Sequence, residues 1–387
     1  MWRPSFTIFR KVILPSLKED VSISKLFHSS KGRAPRSTAK ITLIGASIGA
    51  LIGVGYGGYT HYKINVKKDF SVVENEEYAF LKEAPHYMPH FKIVNEEDTS
   101  NLKLVLFQYR TCPFCCKVRA YLDSRGISYE IVEVDAVLRQ AIKWSAYKKV
   151  PIVLAKVDDG YQQLMDSTAI VSVLETYLRD KNLQLRDVIK FYPATRFKND
   201  EGKLTTDVTN KYYIMHNAPV PDERERKEEA EEREWRQWAD RVLVHTLSPN
   251  VYRTFDEAME TFKWFEEAGG WRQSFPSWEC ALMVYGGATA MWLISKRLKS
   301  RHNIDDARQA LYNAADKWMF AVKKKGTRFL GGDQPNLADV TVYGVLSSIE
   351  GCRAFQDLRS NSDIGKWYDD IKTSIERRRG QVLATHA

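Results

Sequence analysis

The chain has 387 residues and a formal net charge of +9, long enough for two domains with real cores plus extensions. Arg3, Arg10, Lys11, Lys18, Lys25, Lys31, Arg33, Arg36 and Lys40 against Glu19 and Asp20 concentrate that charge in the first 40 residues. With no zinc-finger spacing and no basic recognition helix, a nucleic-acid partner is disfavoured. Five cysteines in so long a chain are not a disulfide framework and suit a reducing compartment.

Residues 1–40 read as a basic N-terminal or targeting segment: a mitochondrial presequence, a membrane-proximal tail or plain disorder. Residues 41–58 carry no charge, and Gly45, Gly49, Gly53 and Gly57 repeat at GxxxG spacing. That spacing predicts a transmembrane helix, with an interfacial or cleaved segment as the alternative. Residues 59–100 mix charge runs with short apolar stretches and read as a tether.

From 101 to 185 the pattern predicts a small α/β domain with a mixed sheet. Leu104 to Leu122, LVLFQYRTCPFCCKVRAYL, is a buried strand, a CPFC turn and a helix. Tyr129–Val134 is the second strand, Lys143–Tyr147 belongs to a second helical segment, and KKVPIVLAKV supplies the third strand. A turn at Asp158–Gly160 leads to a short strand, and Asp166 and Ser167 begin a helix with an apolar face. Residues 186–218 are aromatic and polar without a sustained period, a linker or insertion. From 219 to 380 the periods are helical: a charged stretch to Arg236 that turns amphipathic, then 256–268, 280–298, 304–325, 339–352 and 364–379. Asn336 and Asp339 form a capping box.

The chemistry lies in the CPFC turn. Pro113 fits the first turn of a helix, so Cys112 sits where orphan amides and the helix dipole favour an anion. Cys112 is therefore the candidate nucleophile, and Cys115 either resolves a mixed disulfide or lines the pocket. No second CxxC or histidine pair completes a zinc site, so no metal held by protein side chains is expected. Tyr109 could donate to a thiolate or to a leaving oxygen, or be an ordinary strand aromatic. Asp166 and Ser167 could be plain cap residues, although a helix N-terminus favours a carboxylate ligand and Asp166 could pair with its ammonium.

CPFC after the first strand, VP before the third and an acidic-Ser pair at the third helix resemble a glutaredoxin or the first half of a glutathione transferase. The helical second half, with N-x-A-D at 336–339, resembles the latter's second domain. FQYRTCPFCCKVRAYLD, KKVPIV, LMDSTAI and the glycine-rich N-terminal segment are closer still to the membrane-associated prostaglandin E synthase 2 family. The resemblance implies a thioredoxin-like, glutaredoxin-type α/β domain followed by an all-α domain, and an isomerase converting prostaglandin H2 to prostaglandin E2. It implies Cys112 and Tyr109 as catalytic residues. Glutathione would be held by the Val150 backbone ahead of a cis Pro151, by Phe114, and by Asp166 and Ser167 at its γ-glutamyl end. It further implies a lipid-derived substrate, a homodimer, and haem whose iron lies near Cys112 through glutathione, the haem form instead breaking the endoperoxide down. The location it implies is a single-pass protein of the Golgi membrane, with mitochondrial targeting or a soluble cytoplasmic form after cleavage as alternatives. Two other classes stay open: a glutathione-dependent thiol-disulfide oxidoreductase, and a haem- and glutathione-binding protein without isomerase activity.

Overall fold

The computed structural model describes residues 74–76, 78–180, 182–198, 204–215, 221–301 and 304–385. The basic segment 1–40 and the uncharged segment 41–58 lie outside the described residues. Among the described residues no helix is long and apolar enough to cross a membrane.

In chain order the first half contains β1 (Glu74–Glu76), β2 (Phe80–Leu81), β3 (Phe91–Val94), β4 (Leu104–Gln108), α1 (Pro113–Ser124), β5 (Tyr129–Glu133), β6 (Ile152–Val157), β7 (Gly160–Met165) and α2 (Ser167–Arg179). After these come α3 (Leu185–Ile189), β8 (Ala194–Lys198) and β9 (Leu204–Val208). The second half is α4 (Glu223–Trp238), α5 (Val244–Val251), α6 (Phe255–Ala268), α7 (Trp271–Ser274), α8 (Ser277–Ala281), α9 (Gly287–Arg301), α10 (Ala307–Lys325), α11 (Leu337–Ser347), α12 (Arg353–Ser360) and α13 (Ile364–Glu376). Single π-helical turns at Ala239–Leu243 and Leu282–Gly286 join α4 to α5 and α8 to α9. The chain returns to the sheet as β10 (Gln381–Ala384).

The main sheet runs β10-β3-β5-β4-β6-β7-β2. β4, the strand that leads into CPFC, is central and wholly buried, parallel to β5 and antiparallel to β6. Its side chains alternate: Leu104 and Leu106 join the large core with Val118, Leu122, Ile170 and Val173, while Val105 and Phe107 join a smaller core with Val132, Ile152 and Leu154. That period of two is why both faces of the strand are apolar.

Two sequence expectations need correction. The helical segment expected at Lys143–Tyr147 is absent: a single 3-10 turn, Gln140–Ile142, precedes an irregular loop that covers the smaller core. Asp135 holds the loop's start by accepting the amides of Leu138, Arg139 (2.6 Å) and Gln140 (2.9 Å). Trp144 then fills the place of a helix by packing edge-on against Phe107, with ring centroids 5.4 Å apart. The single helix expected over 339–352 ends at Ser347, and the turn that follows brings Gly351 against the indole of Trp264, where a Cβ would stand 2.1 Å from its Nε1. Helix α12 follows, unforeseen.

Parts of the stretch read as a tether belong to the sheet. Phe91 and Ile93 pair with Ile131 and Tyr129, and Phe80 pairs with Gln162. The stretch read as an insertion contains α3 and the β8–β9 hairpin, which pairs with β1 as a second, three-stranded sheet. The two halves of the chain share the large core, and α11 lies flat on α1. A Cβ on Gly344 would come within 2.5 Å of the Lys117 Cα, so only glycine permits this approach.

Candidate active site

Cys112 is the extended N-cap of α1, with φ −75° and ψ 127°. Its amide donates to the Tyr109 carbonyl at 3.0 Å and its carbonyl receives the Cys116 amide at 2.8 Å, which closes the turn and opens the helix. The thiol of Cys112 is half-buried, whereas Cys115 and Cys116 are buried, and all five cysteines are free thiols. A hydrogen bond from the Cys115 thiol holds the Cys112 pKa below the ordinary cysteine value against the cost of burial. The amides of Cys115 and Phe114 and the charge of Arg119 add to it. Burial, and the bond it gives to Cys112, push Cys115 well above the ordinary value. The pair is therefore asymmetric: the Cys112 thiol ionises more readily than its buried neighbour Cys115.

Tyr109 is half-buried beside both sulfurs, and burial, with those thiols and Asp135 adding, raises its phenol pKa. Tyr147 and Tyr252 also feel the Cys112 sulfur and are likewise raised, first by burial, so the helical half contributes a phenol to the site. Phe114 is half-buried, and the Lys117 ammonium lies 5.8 Å from its ring centroid.

The Val150–Pro151 peptide is cis. Val150 stands just before β6, whose first residue, Ile152, pairs with Phe107 on one side and Met165 on the other. It thus lies at the common end of both ladders, on the side of Tyr109 and of Ser167, and its own amide and carbonyl take no part in either.

Asp166 has φ 65° and ψ 117°, a sparsely populated conformation for a residue with a side chain. Such strain costs about 1–3 kcal/mol and tends to cluster at functional sites. Its Oδ1 accepts the amides of Thr168 at 2.9 Å and Ala169 at 3.3 Å, while its Oδ2 accepts from the Lys211 ammonium at 3.1 Å. Ser167 is only 6% exposed, yet among the described residues neither its amide nor its hydroxyl has a hydrogen-bond partner.

Sequence reasoning missed what stands behind these residues. Lys117, 2% exposed, donates from Nζ to Thr168 Oγ1 and to Asp240 Oδ1, each at 2.6 Å. The other oxygen of Asp240 accepts from Thr168 Oγ1 at 2.5 Å and from the Tyr212 hydroxyl at 3.1 Å. This buried, fully paired cluster ties α1, α2, the segment after β9 and the helical half together at the start of α2. A carboxylate inside the amphipathic run WRQWADRVL was the available signal for Asp240; Lys117 had none, because its partners come from distant parts of the chain.

Residues 104–158 match the Glutaredoxin family model. Prostaglandin E synthase 2 of Danio rerio is 42% identical over 332 residues, covering 84% of this chain and 80% of its own. That of Mus musculus is 48% identical over 283 residues, 72% of each chain. Among solved structures, glutathione S-transferase III in apo form aligns with a TM-score of 0.38 at 14% identity, over 71% of this chain and 95% of its own. A beta-etherase from Sphingobium sp. aligns with a TM-score of 0.39 at 16% identity, over 71% and 98%. With identity above two-fifths across most of both chains, this chain belongs to the prostaglandin E synthase 2 family.

Proposed function

We propose that the protein isomerises prostaglandin H2 to prostaglandin E2 with a thiolate at a glutathione-binding CPFC site. The observation that carries the assignment of chemistry to this site is the division of the two thiols: a half-exposed Cys112 with a lowered pKa, hydrogen-bonded by a buried Cys115, beside a protonated Tyr109.

The steps balance without an external oxidant. A thiolate, of Cys112 or of glutathione held against it, attacks the endoperoxide oxygen on C9. An S–O bond forms, the O–O bond breaks, and the oxygen on C11 leaves, taking a proton from the Tyr109 hydroxyl. The resulting phenolate removes the C9 proton. The C9–H electrons become the carbonyl π bond, the S–O electrons return to sulfur, and both groups are restored. Cys115 is not consumed; its part is to lower the pKa of Cys112.

Glutathione would run from Cys112 along the Val150 backbone to Asp166 and Ser167, with Phe114 and Pro151 as walls. A haem, as the family resemblance implies, would take its iron ligand from glutathione held beside Cys112. Attachment to the Golgi membrane through residues 41–58 suits a lipid-derived substrate. A homodimer suits the apolar side chains of Trp278, Leu282, Tyr285 and Leu293, which the single chain leaves exposed.

The test is turnover of prostaglandin H2 with glutathione by the haem-free protein, with products resolved by mass. Prostaglandin E2 above the spontaneous rate, lost in Cys112→Ser, is the expected result; no acceleration would refute the assignment. Because the thiolate is the reactive form, the rate should rise with pH to a plateau whose midpoint lies below the ordinary cysteine pKa. Cys115→Ala, which deletes the donor to Cys112, should move that midpoint upward. The two free thiols of the CPFC turn also favour a second reading, thiol-disulfide exchange, in which replacing either cysteine would abolish turnover of a disulfide substrate.

A further inference from the structure

The segment from Lys211 to Met215, which follows the β8–β9 hairpin, is fastened to α2, to α4 and to Tyr192 just before β8. The Lys211 carbonyl accepts from the Ser172 hydroxyl at 2.5 Å, and the Tyr212 carbonyl accepts from Arg236 at 3.1 Å. The Tyr213 carbonyl accepts from the Tyr192 hydroxyl at 2.9 Å, and the Met215 amide donates to Thr176 Oγ1 at 3.0 Å. Arg236, 1% exposed, also donates to Ser172 Oγ at 2.7 Å, and so braces the clamp from the helical half. This fastening fixes the Lys211 ammonium at the mouth of α2, between Asp166 Oδ2 at 3.1 Å and Asp207 Oδ1 at 2.5 Å.

One lysine between two carboxylates leaves the cluster one negative charge in excess, and the buried Ser167 beside it has an unengaged amide and hydroxyl. A zwitterionic α-amino acid end matches both features. Its ammonium supplies the missing positive charge at Asp166. Its carboxylate meets Lys211, the Ser167 donors and the positive end of the α2 dipole.

We infer that Lys211, supplied by the insertion between the two halves, is a specificity-determining residue that recognises the α-carboxylate of the γ-glutamyl end of glutathione, while Asp166 takes its ammonium. The inference rests on the proposal that glutathione occupies this site. It gives the insertion a role in ligand selection: a thiol tripeptide without that carboxylate is discriminated against at a residue more than forty positions from Asp166 in sequence.

The experiment is calorimetric titration of the full chain, in parent, Lys211→Met and Lys211→Arg forms. The ligands are glutathione, the analogue lacking the α-carboxylate and the analogue lacking the α-amino group. Lys211→Met should weaken glutathione and the carboxylate-bearing analogue on the order of tenfold, the loss of one charge-assisted contact. The analogue that keeps only the ammonium should bind Lys211→Met as tightly as the parent or more tightly, since Asp166 no longer shares its charge with the lysine. Lys211→Arg should retain the preference, and its unfolding midpoint controls for damage to the clamp. Equal weakening of all three ligands, or of none, overturns the inference and leaves the glutathione site standing. Failure of the parent chain to bind glutathione removes that site and the inference with it.

Discussion

Asp166 and Asp339 both stand at the start of a helix, and their surroundings differ in the one respect that separates a binding group from a structural one. Asp339, at the entry to α11, is fully buried and saturated. It accepts the amides of Leu330 and Gly331 at 3.0 Å each, the amide of Asn336 at 3.2 Å and the Trp367 indole N–H at 3.2 Å. Every donor comes from the chain, and nothing is left for a ligand. Asp166 is half-buried, held in a strained conformation, and shares one oxygen with a lysine beside an unengaged serine. An acid near a helix start is thus ambiguous as a sequence feature. What distinguishes the two is whether the fold itself completes the hydrogen bonds.

The comparison can be broken most forcefully at Asp339. Replacing it by alanine orphans two buried donors, the Leu330 amide and the Trp367 indole, and two part-buried amides, and should cost about 3 kcal/mol of stability, read as a lower urea midpoint. A loss under about 1 kcal/mol would show that water replaces the carboxylate and that the site is not the closed joint described. At Asp166 the expected order reverses. Asp166→Ala should cost about 1 kcal/mol, the value of a helix cap, while glutathione binding falls below detection by calorimetry. Intact binding would place the ligand's ammonium elsewhere. The third acid of this kind sharpens the contrast from the exposed side. Glu225 closes a capping box with Asp222 at the solvent-facing start of α4, its carboxylate accepting the Asp222 amide at 2.9 Å. Water can replace that bond, so Glu225→Ala should move the midpoint by no more than about 0.5 kcal/mol.

Several site features were legible because they are local. CPFC after an apolar run announces a thiol at a helix N-terminus, and the structure places Cys112 there, half-exposed ahead of buried Cys115 and Cys116. The cap at Asp166 and the box at Asn336–Asp339 were readable from spacing, and both appear in the hydrogen bonds. The helix expected at Lys143–Tyr147 gives way to an irregular cover because contacts from outside the segment decide it: Asp135 accepts the amides at the loop's start, and Trp144 packs on Phe107. Residues 91–94 read as tether because a strand four residues long carries too little pattern to separate it from an apolar stretch in a linker.

What the sequence by itself determined is therefore the set of short-range features: the strand-turn-helix around Cys112, the helical periods of the second half, and the caps. Their physics acts within one or two turns of the chain. Only the tertiary structure decided which polar residues act together. Lys117, Thr168, Tyr212 and Asp240 form one buried cluster, and Lys211 reaches Asp166. Such contacts depend on loop closures and on desolvation, and a buried charge is tolerated only where the fold delivers its partner, a condition that no local pattern records.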